Sequence, residues 1–288
     1  MPAQILDGSA TAKQIREEIK AEAARFTADT GVTPHLAVII VGEDPASQVY
    51  VNMKKKACIA AGMLSTVHEL PANSSQEEIV GIIKQLNADP NVHGVMVQHP
   101  VPKHLDELEI LATVAREKDV DGISRESLGS LVTGVPLFIA ATPAGIIELL
   151  DRYDIPIEGQ HAVIVGRSII LGKPVALFLL NRHATITVCH TRTRDLPAMT
   201  RQADILIAAV GKPEVITGDM LKEGVVVIDA GYNKVEGRDK DVGDVHFESA
   251  AQKASWITPV PGGVGPMTIA MLLSNTMKAA RKAAGVAT

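Results

Sequence analysis

The chain has 288 residues, of which 46% are hydrophobic and 21% are charged, and its formal net charge at pH 7 is −5. This composition is typical of a globular protein with room for two lobes and argues against disorder. The net charge gives no reason to expect nucleic acid as a partner, and no apolar run reaches the ~18 residues that span a membrane.

Two features of the chain indicate the cellular compartment of the protein. Residues 1–20 lack the basic-then-apolar order of a signal peptide, and Ile15, Ile19 and Phe26 instead predict a buried helix stripe. Cys58 and Cys189 lie far apart, so they support neither a disulfide framework nor a cysteine-rich zinc site. We expect a cytoplasmic enzyme or binding protein.

Strand-like and helix-like segments alternate in the first half of the chain, which predicts parallel βαβ units. In the second predicted helix, Ser75 and Glu78 have the spacing of a capping box. The strands are predicted at residues 36–41, 65–70 and 94–98, with helices beginning at residue 45 and spanning residues 75–86.

The helix that begins at Pro45 carries the most informative residues of this half. Proline suits the first turn of a helix, and Val49, Met53 and Ala57 then recur at helical spacing, so we expect them to face the core.

Tyr50 and Lys54 are four residues apart on this helix and therefore share a neighbouring face. A phenol and an amine fixed side by side could handle protons. The alternative is a solvated basic face, since Lys54 is followed by Lys55 and Lys56.

Polar residues follow the third predicted strand. Gln98 ends this strand, where ligands collect in open α/β sheets, and Pro100 and Pro102 then block its extension. Further on, the segment KDVDG places Asp119 and Asp121 before a flexible glycine, but it lacks the other ligands of a calcium loop. Simple turn capping would explain these polar residues equally well.

The second half repeats the alternation more strongly. A turn-rich passage at residues 118–136 and a helix at 143–153 are predicted to connect two lobes, and a last helix at about 267–284 is apolar enough to return to the first lobe. We therefore predict an α/β fold with two lobes, the second of the doubly wound, Rossmann-like type. Its strands are predicted at residues 161–165, 185–189, 205–210 and 225–229.

The first strand of the second lobe runs into a glycine turn and a helix start. Such a helix N-terminus attracts phosphate through its N–H groups and its dipole. Gly166 and Gly172 do not form the usual dinucleotide-binding pattern, so an ordinary strand-to-helix turn remains open.

The residues at the end of the next strand indicate which coenzyme is preferred. A site for NAD usually has an acid there, whereas residues 189–194 read CHTRTR and the first acid is Asp195. Arg167, Thr191 and Arg192 could form a cationic pocket, which favours the extra phosphate of NADP over NAD. A basic surface cluster would have the same composition.

Residues 258–268, TPVPGGVGPMT, form a segment too rich in proline and glycine for an ordinary connector. Gly262 and Gly263 allow the backbone to approach a flat ligand closely, although a structural hinge could be built from the same residues. No set of His, Asp and Glu residues has zinc spacing, so we expect no metal.

Taken together and in order, these motifs resemble one family along essentially the whole chain. The family is the bifunctional methylenetetrahydrofolate dehydrogenase/methenyltetrahydrofolate cyclohydrolases. The segments that carry the resemblance are VGEDPASQVYVNMKKK, GVMVQHPVP, KDVDG, ATPAG, VGRSIILGKP, CHTRT, IDAGYN, GDV and TPVPGGVGPMT.

The resemblance implies NADP-dependent oxidation of 5,10-methylenetetrahydrofolate to the methenyl form, followed by hydrolysis to 10-formyltetrahydrofolate in the same cleft. It implies a homodimer that pairs through the cofactor lobe. It also implies a folate-binding catalytic domain of residues 1–140 plus the helix 267–288, and an NADP-binding domain of residues 141–266.

The resemblance assigns roles to individual residues. Lys54, Tyr50 and Gln98 match the catalytic positions, and we expect Lys54 to be desolvated enough to move protons near neutrality. Substrate binding falls to Asp121, Pro100, Gly262 and Gly263. Cofactor binding falls to Gly166, Arg167, Ser168, Thr191 and Tyr232.

The chain departs from the family pattern at several positions. His99 stands where the family usually has Leu, Ala140 and Ala141 replace Pro-Cys, residues 123–127 differ from the usual pattern, and Tyr232 is bulkier than usual. These changes leave open a monofunctional dehydrogenase with little cyclohydrolase activity. A two-lobed α/β fold could also belong to a nucleotide-sensing binding protein or to a dehydrogenase for shikimate-like acids.

Overall fold

The computed structural model describes residues 3–238 and 241–286, which form two compact units. The first unit comprises Met1–Lys13 and Thr142–Thr268, and the second comprises Gln14–Ala141 and Ile269–Thr288. The strands are β1 (Gln4–Ile5), β2 (His35–Val41), β3 (Leu64–Leu70), β4 (Gly94–Val97), β5 (His161–Val165), β6 (Thr185–Cys189), β7 (Ile205–Ala208), β8 (Val226–Asp229) and β9 (Trp256–Ile257). The α-helices are α1 (Gly8–Thr30), α2 (Pro45–Ala60), α3 (Gln76–Ala88), α4 (Glu107–Thr113), α5 (Arg125–Val132), α6 (Ala141–Arg152), α7 (Gly172–Asn181), α8 (Leu196–Thr200), α9 (Phe247–Ala250) and α10 (Val264–Ala283).

The second unit, called the lysine unit below because it contains Lys54, is built on a three-stranded parallel sheet of order β3-β2-β4. Its central strand is buried on both faces, as the uninterrupted apolar run Leu36–Val41 requires. Ser75 caps α3 by accepting a hydrogen bond from the N–H of Glu78 at 3.2 Å, as its position in the sequence predicted.

The first unit, called the sheet unit below, contains a six-stranded parallel sheet of order β1-β9-β8-β7-β5-β6. In the register, Val165 at the end of β5 lies opposite Cys189 at the end of β6. The segments that follow these two strands therefore leave the sheet at the same edge, which is where an open parallel sheet binds its ligands. The predicted α/β fold with a doubly wound lobe is confirmed.

The division into units differs from the predicted boundaries at the N-terminus. Gln4–Ile5 forms an edge strand beside Trp256–Ile257 of the sheet unit, so the first 13 residues belong there and not with residues 14–141. Each strand has two residues, too short for an alternating pattern to be recognisable in the sequence.

Two further predictions were wrong. The turn-rich passage 118–136, predicted to connect the lobes, lies wholly within the lysine unit and contains helix α5. Val49 and Met53 do not face the core, because they are 57% and 47% exposed. The buried face of α2 is instead formed by Ser47, Val51, Lys54, Cys58 and Ala61, the last of which follows the helix. Among the described residues, no helix is long and apolar enough to cross a membrane.

Gly166 permits a close approach that no other residue would. It has a φ of +137°, and a Cβ there would lie 2.1 Å from the carbonyl oxygen of Ala209. We expect Gly166→Ala to lower the free energy of unfolding by about 2–4 kcal/mol, from backbone strain and overpacking together. Urea-induced unfolding of the purified variant measures this loss.

Gly159 provides the matched control, since its φ is +76° but nothing lies within 4 Å of an added Cβ. Gly159→Ala should cost only the strain, about 1–2 kcal/mol. Equal losses in the two variants would contradict a clash at Gly166.

Candidate active site

Helix α2 places Lys54 inside the lysine unit. The helix begins at Pro45, and the Asp44 carboxylate caps it by accepting from the N–H of Ser47 at 2.8 Å. Lys54 lies on the buried side of α2 and is only 8% exposed, whereas Lys55 and Lys56 are exposed. Lys55 and Lys56 therefore form a solvated basic face, whereas Lys54 does not belong to it.

Gln98 holds the buried amine of Lys54. The Nζ of Lys54 donates to Oε1 of Gln98 at 2.8 Å, and Nε2 of Gln98 donates to the carbonyl oxygen of His99 at 2.8 Å. Because its NH₂ group is engaged on the backbone, the amide of Gln98 presents its oxygen to the lysine. Burial lowers the pKa of Lys54, and the nearby Asp121 carboxylate opposes this effect.

The two acids of the KDVDG segment have different environments. Asp119 accepts hydrogen bonds from the N–H groups of Gly122 and Ser124 and from the hydroxyl of Ser127. It therefore caps the turn that leads into α5. In contrast, Oδ2 of Asp121 is buried and accepts no hydrogen bond within the described part of the chain. A buried carboxylate oxygen without a donor is costly unless a ligand satisfies it.

Charged groups lie close to Asp121. Nε2 of His99 is 3.8 Å from its Oδ2, and the two side chains are 21% and 13% exposed. Burial raises the pKa of Asp121, while Lys54 and His99 lower it and Asp119 raises it. Lys54, Gln98, His99 and Asp121 thus form one polar cluster within the lysine unit. Tyr50 lies one turn before Lys54 on α2 and is 44% exposed.

The segment that presents Asp121 is anchored by residues that no sequence motif singled out. Nδ2 of Asn275 in α10 donates to the carbonyl oxygens of Val120 and Ile139 at 2.8 and 3.1 Å. Gly94 in β4 leaves room for Val120, since a Cβ at Gly94 would lie 2.8 Å from its side chain. These residues are distant in the chain, so only the folded protein reveals their role.

The glycine turn of the sheet unit follows β5 and leads into α7. The N–H of Gly166 donates to the carbonyl oxygen of Cys189 at 2.9 Å. The hydroxyl of Ser168 accepts from the N–H groups of Leu171 and Gly172 at 3.2 and 3.3 Å. Two N–H groups at the start of α7 are therefore already bonded within the protein. This helix end offers fewer N–H groups to the predicted phosphate.

The end of β6 fits a coenzyme with a phosphorylated ribose. Thr191 and Arg192 are exposed just after β6, and Arg167 is exposed just after the neighbouring β5. The acid that would hold an unmodified ribose is absent at the strand end, and Asp195 instead caps α8 by accepting from the N–H of Ala198 at 3.2 Å. The groups present are cations and hydroxyls, which are suited to phosphate.

Two buried carboxylates shape the loops after β7 and β8. Asp244 accepts from the N–H groups of three consecutive residues, Val210, Gly211 and Lys212, and from the side-chain amide of Asn233. Asp229 accepts from the N–H groups of Gly231, Asp244 and Val245, while burial raises its pKa to about 6. These bonds fix the residues on either side of Tyr232, which is 54% exposed. The motif GDV contains Asp244, but nothing in the sequence indicated this role.

Gly262 and Gly263 in the loop 258–268 have structural reasons for their presence. Gly262 has a φ of +108°, and its carbonyl oxygen accepts from the N–H of Ser9 at 2.8 Å. A Cβ at Gly263 would lie 2.6 Å from the carbonyl oxygen of Pro259, and one at Gly8 would lie 1.8 Å from that of Gly263. The close approaches of Gly263 and Gly8 are thus to the protein's own backbone, and Gly262 and Gly263 belong to the sheet unit. Pro100, by contrast, is exposed in the lysine unit and follows His99 through a cis peptide bond.

One group in the described part of the chain could hold a metal ion. Side-chain ligand atoms of Glu214, His246 and Glu248 lie within 4.8 Å of one another. Both carboxylate oxygens of Glu214 already accept from Arg238 at 2.8 Å. We assign no metal role to this cluster, and the expectation that the chemistry needs no metal stays a prediction.

Two features define the class of protein. The lysine unit has a buried lysine bonded to a glutamine, and the sheet unit has a doubly wound sheet with a glycine turn. Together they indicate a two-unit enzyme that combines proton transfer with a dinucleotide-binding fold. The family model described as "Tetrahydrofolate dehydrogenase/cyclohydrolase, catalytic domain" matches residues 6–121. The model described as the NAD(P)-binding domain of the same family matches residues 140–284. The chain belongs to the tetrahydrofolate dehydrogenase/cyclohydrolase family.

Individual proteins are similar over nearly the full length. The bifunctional protein FolD of Moorella thermoacetica is 61% identical over 98% of this chain and 100% of its own. Among solved structures, the bifunctional enzyme FolD of Campylobacter jejuni has a TM-score of 0.95 and 48% identity, covering 97% of this chain and 99% of its own. The Trypanosoma brucei enzyme, solved in complex with NADP and an inhibitor, has a TM-score of 0.94 and 38% identity, covering 98% of both chains.

Proposed function

We propose that this protein oxidises 5,10-methylenetetrahydrofolate to the methenyl form with NADP⁺ and then hydrolyses the product to 10-formyltetrahydrofolate. The observation that carries this proposal is the buried Lys54–Gln98 pair in a chain that matches both domain models of the family. A protein that only bound nucleotides would have no use for a desolvated lysine at such a site.

The hydrolytic step needs a group that accepts a proton near neutral pH. Water adds to the methenyl carbon, a C–N bond of the ring opens, and one proton is released. An ordinary lysine, with a pKa near 10.4, is almost fully charged at pH 7. Burial lowers the pKa of Lys54, which favours the neutral amine that a general base requires. Gln98, which is uncharged, orients the amine through Oε1 without stabilising its cation as a carboxylate would.

Folate binding falls to groups around this lysine. Oδ2 of Asp121 is the buried acceptor without a donor, and the pterin ring offers N–H groups that would satisfy it. Tyr50, exposed one turn before Lys54, offers an aromatic face to a planar ring. We assign Pro100, Gly262 and Gly263 to the substrate site on the resemblance to the family.

The coenzyme is NADP in this proposal. When bound, NADP supplies the acceptor for the hydride that leaves the methylene carbon. Arg167 and Thr191 are the groups at the sheet edge that would recognise its additional phosphate, Gly166 and Ser168 shape the turn beneath it, and Tyr232 would lie at the nicotinamide end. The absence of an acid at the end of β6 supports NADP over NAD.

The direct test supplies purified protein with 5,10-methylenetetrahydrofolate and either NADP⁺ or NAD⁺. Reduced coenzyme and the methenyl product are followed together by absorbance. Reduction of NADP⁺ without methenyl accumulation supports both activities. Reduction with accumulation identifies a monofunctional dehydrogenase, and no reduction with either coenzyme contradicts the proposal.

Replacing Arg167 by alanine tests the coenzyme site. We expect the KM for NADP⁺ to rise about 10–100-fold, as expected for the loss of a charged hydrogen bond, with the KM for NAD⁺ nearly unchanged. Arg194→Ala serves as the control, because it removes another exposed cation from the segment that follows β6. An equal rise for both coenzymes would argue against phosphate recognition by Arg167.

We further propose that the protein acts in the cytoplasm as a homodimer that pairs through the sheet unit. Cys58 and Cys189 are both free and buried, which agrees with a reducing compartment. β6 lies at one edge of the six-stranded sheet, and an edge strand can pair with a second copy. Light scattering of the purified protein measures the assembly directly.

A further inference from the structure

His99 is the residue near the proposed folate site for which the family gives no role, since leucine is usual at this position. It follows Gln98 directly after β4, and its Nε2 lies 3.8 Å from Oδ2 of Asp121. That oxygen is the buried acceptor to which no described residue donates a hydrogen bond. The imidazole therefore lies within ion-pair distance of the atom to which we assign pterin binding.

Lys54 is the other group near Asp121 that can carry a positive charge. Its Nζ is engaged with Oε1 of Gln98 at 2.8 Å. The groups that influence Asp121 are Lys54 from α2, Asp119 from the same segment and His99. Of this set, His99 is the group whose ring nitrogen lies at ion-pair distance from Oδ2 of Asp121.

We propose that His99 is a positioning residue for Asp121: when protonated, it keeps the Asp121 carboxylate ionised and ready to accept from the pterin, so that folate binding by this chain depends on a histidine. The proposal rests on the proposed role of Asp121 in folate binding. A leucine at this position would lack the effect.

The change His99→Leu, which installs the usual family residue, tests the proposal through a pH profile. The dissociation constant of tetrahydrofolate is measured by anaerobic calorimetry from pH 5.5 to 8.5. Without the imidazolium, Asp121 takes up its proton at higher pH, and the acid limb of binding should move up by about one pH unit. Variant and wild type should converge at alkaline pH and differ by up to about tenfold at acid pH. Comparing each variant with the wild type at the same pH removes the contribution of protonation of tetrahydrofolate itself.

Two more variants separate charge from shape. His99→Gln keeps a polar side chain of similar size but no charge, so it should show the same shift as His99→Leu. Lys103→Ala removes an exposed cation from the same segment and should behave like the wild type. Superimposable profiles for His99→Leu and wild type, a wild-type profile for His99→Gln, or an equal shift in Lys103→Ala would each overturn the inference.

Failure of this inference and failure of the proposed function give different results. If the wild-type protein neither binds tetrahydrofolate nor reduces NADP⁺ with the methylene substrate, the proposed function fails and the inference fails with it. If the wild type does both while its binding profile is independent of His99, only the inference fails.

Discussion

Lys54→Met is expected to lower the cyclohydrolase rate by about 10²–10⁴-fold, the usual contribution of general acid–base catalysis. Methionine fills a similar space but cannot take up a proton. Reduced coenzyme should still form if the dehydrogenase step is independent of this base, and the methenyl product should then accumulate. Absorbance that reports both species in one reaction measures this split.

The neighbouring lysines supply the controls. Lys55→Met and Lys56→Met remove exposed charges from the same helix and should leave the hydrolytic rate nearly unchanged. Full cyclohydrolase activity in Lys54→Met would refute the proposed base.

The second large effect is expected for Asp121→Asn, which should weaken folate binding about 10–100-fold through loss of a charge-assisted hydrogen bond. The side chain keeps its shape, so the KM for NADP⁺ should hardly change. Calorimetric titration with tetrahydrofolate and steady-state kinetics with both substrates measure these effects. Unchanged folate affinity would contradict the role of Asp121 as the pterin acceptor.

Asp119→Asn is the matched comparison two residues earlier. Its carboxylate accepts three hydrogen bonds from the chain itself, so its loss should lower the melting temperature. Asp121→Asn should instead leave the melting temperature unchanged or raise it, since the chain gives Oδ2 of Asp121 no donor within the described residues. Of the two variants, Asp119→Asn should thus lose thermal stability, and Asp121→Asn should lose folate affinity.

Most of the fold follows from local patterns in the sequence. The long apolar run that forms β2, the proline that starts α2 and the serine that caps α3 all act within a few residues, so their consequences can be predicted. β1 and β9 could not, because two-residue strands exist only through their pairing with each other and with the rest of the sheet. The exposed side of α2 was also misjudged, since apolar residues occur on both faces and tertiary contacts decide which one is buried.

The candidate site was less predictable than the fold. Spacing alone left a solvated role open for Lys54, and the resemblance to a family was needed to select it from three adjacent lysines. Nothing in the KDVDG segment distinguishes Asp119 from Asp121, because the distinction depends on which carboxylate the folded backbone satisfies. The 3.8 Å approach of His99 to Asp121 joins residues from separate segments of the chain, and no periodicity encodes it.

The anchoring of the Asp121 segment by Asn275 has a consequence for biosynthesis. Residues 14–141 emerge from the ribosome first, but the side chain that holds the carbonyl groups of Val120 and Ile139 lies beyond the whole of residues 142–268. At translation rates of about 5–20 residues per second, this interval lasts roughly 7–27 s. The nascent lysine unit therefore spends that time with the Asp121 segment, to which we assign pterin binding, unsecured, and this anchoring is completed only after the sheet unit has been made.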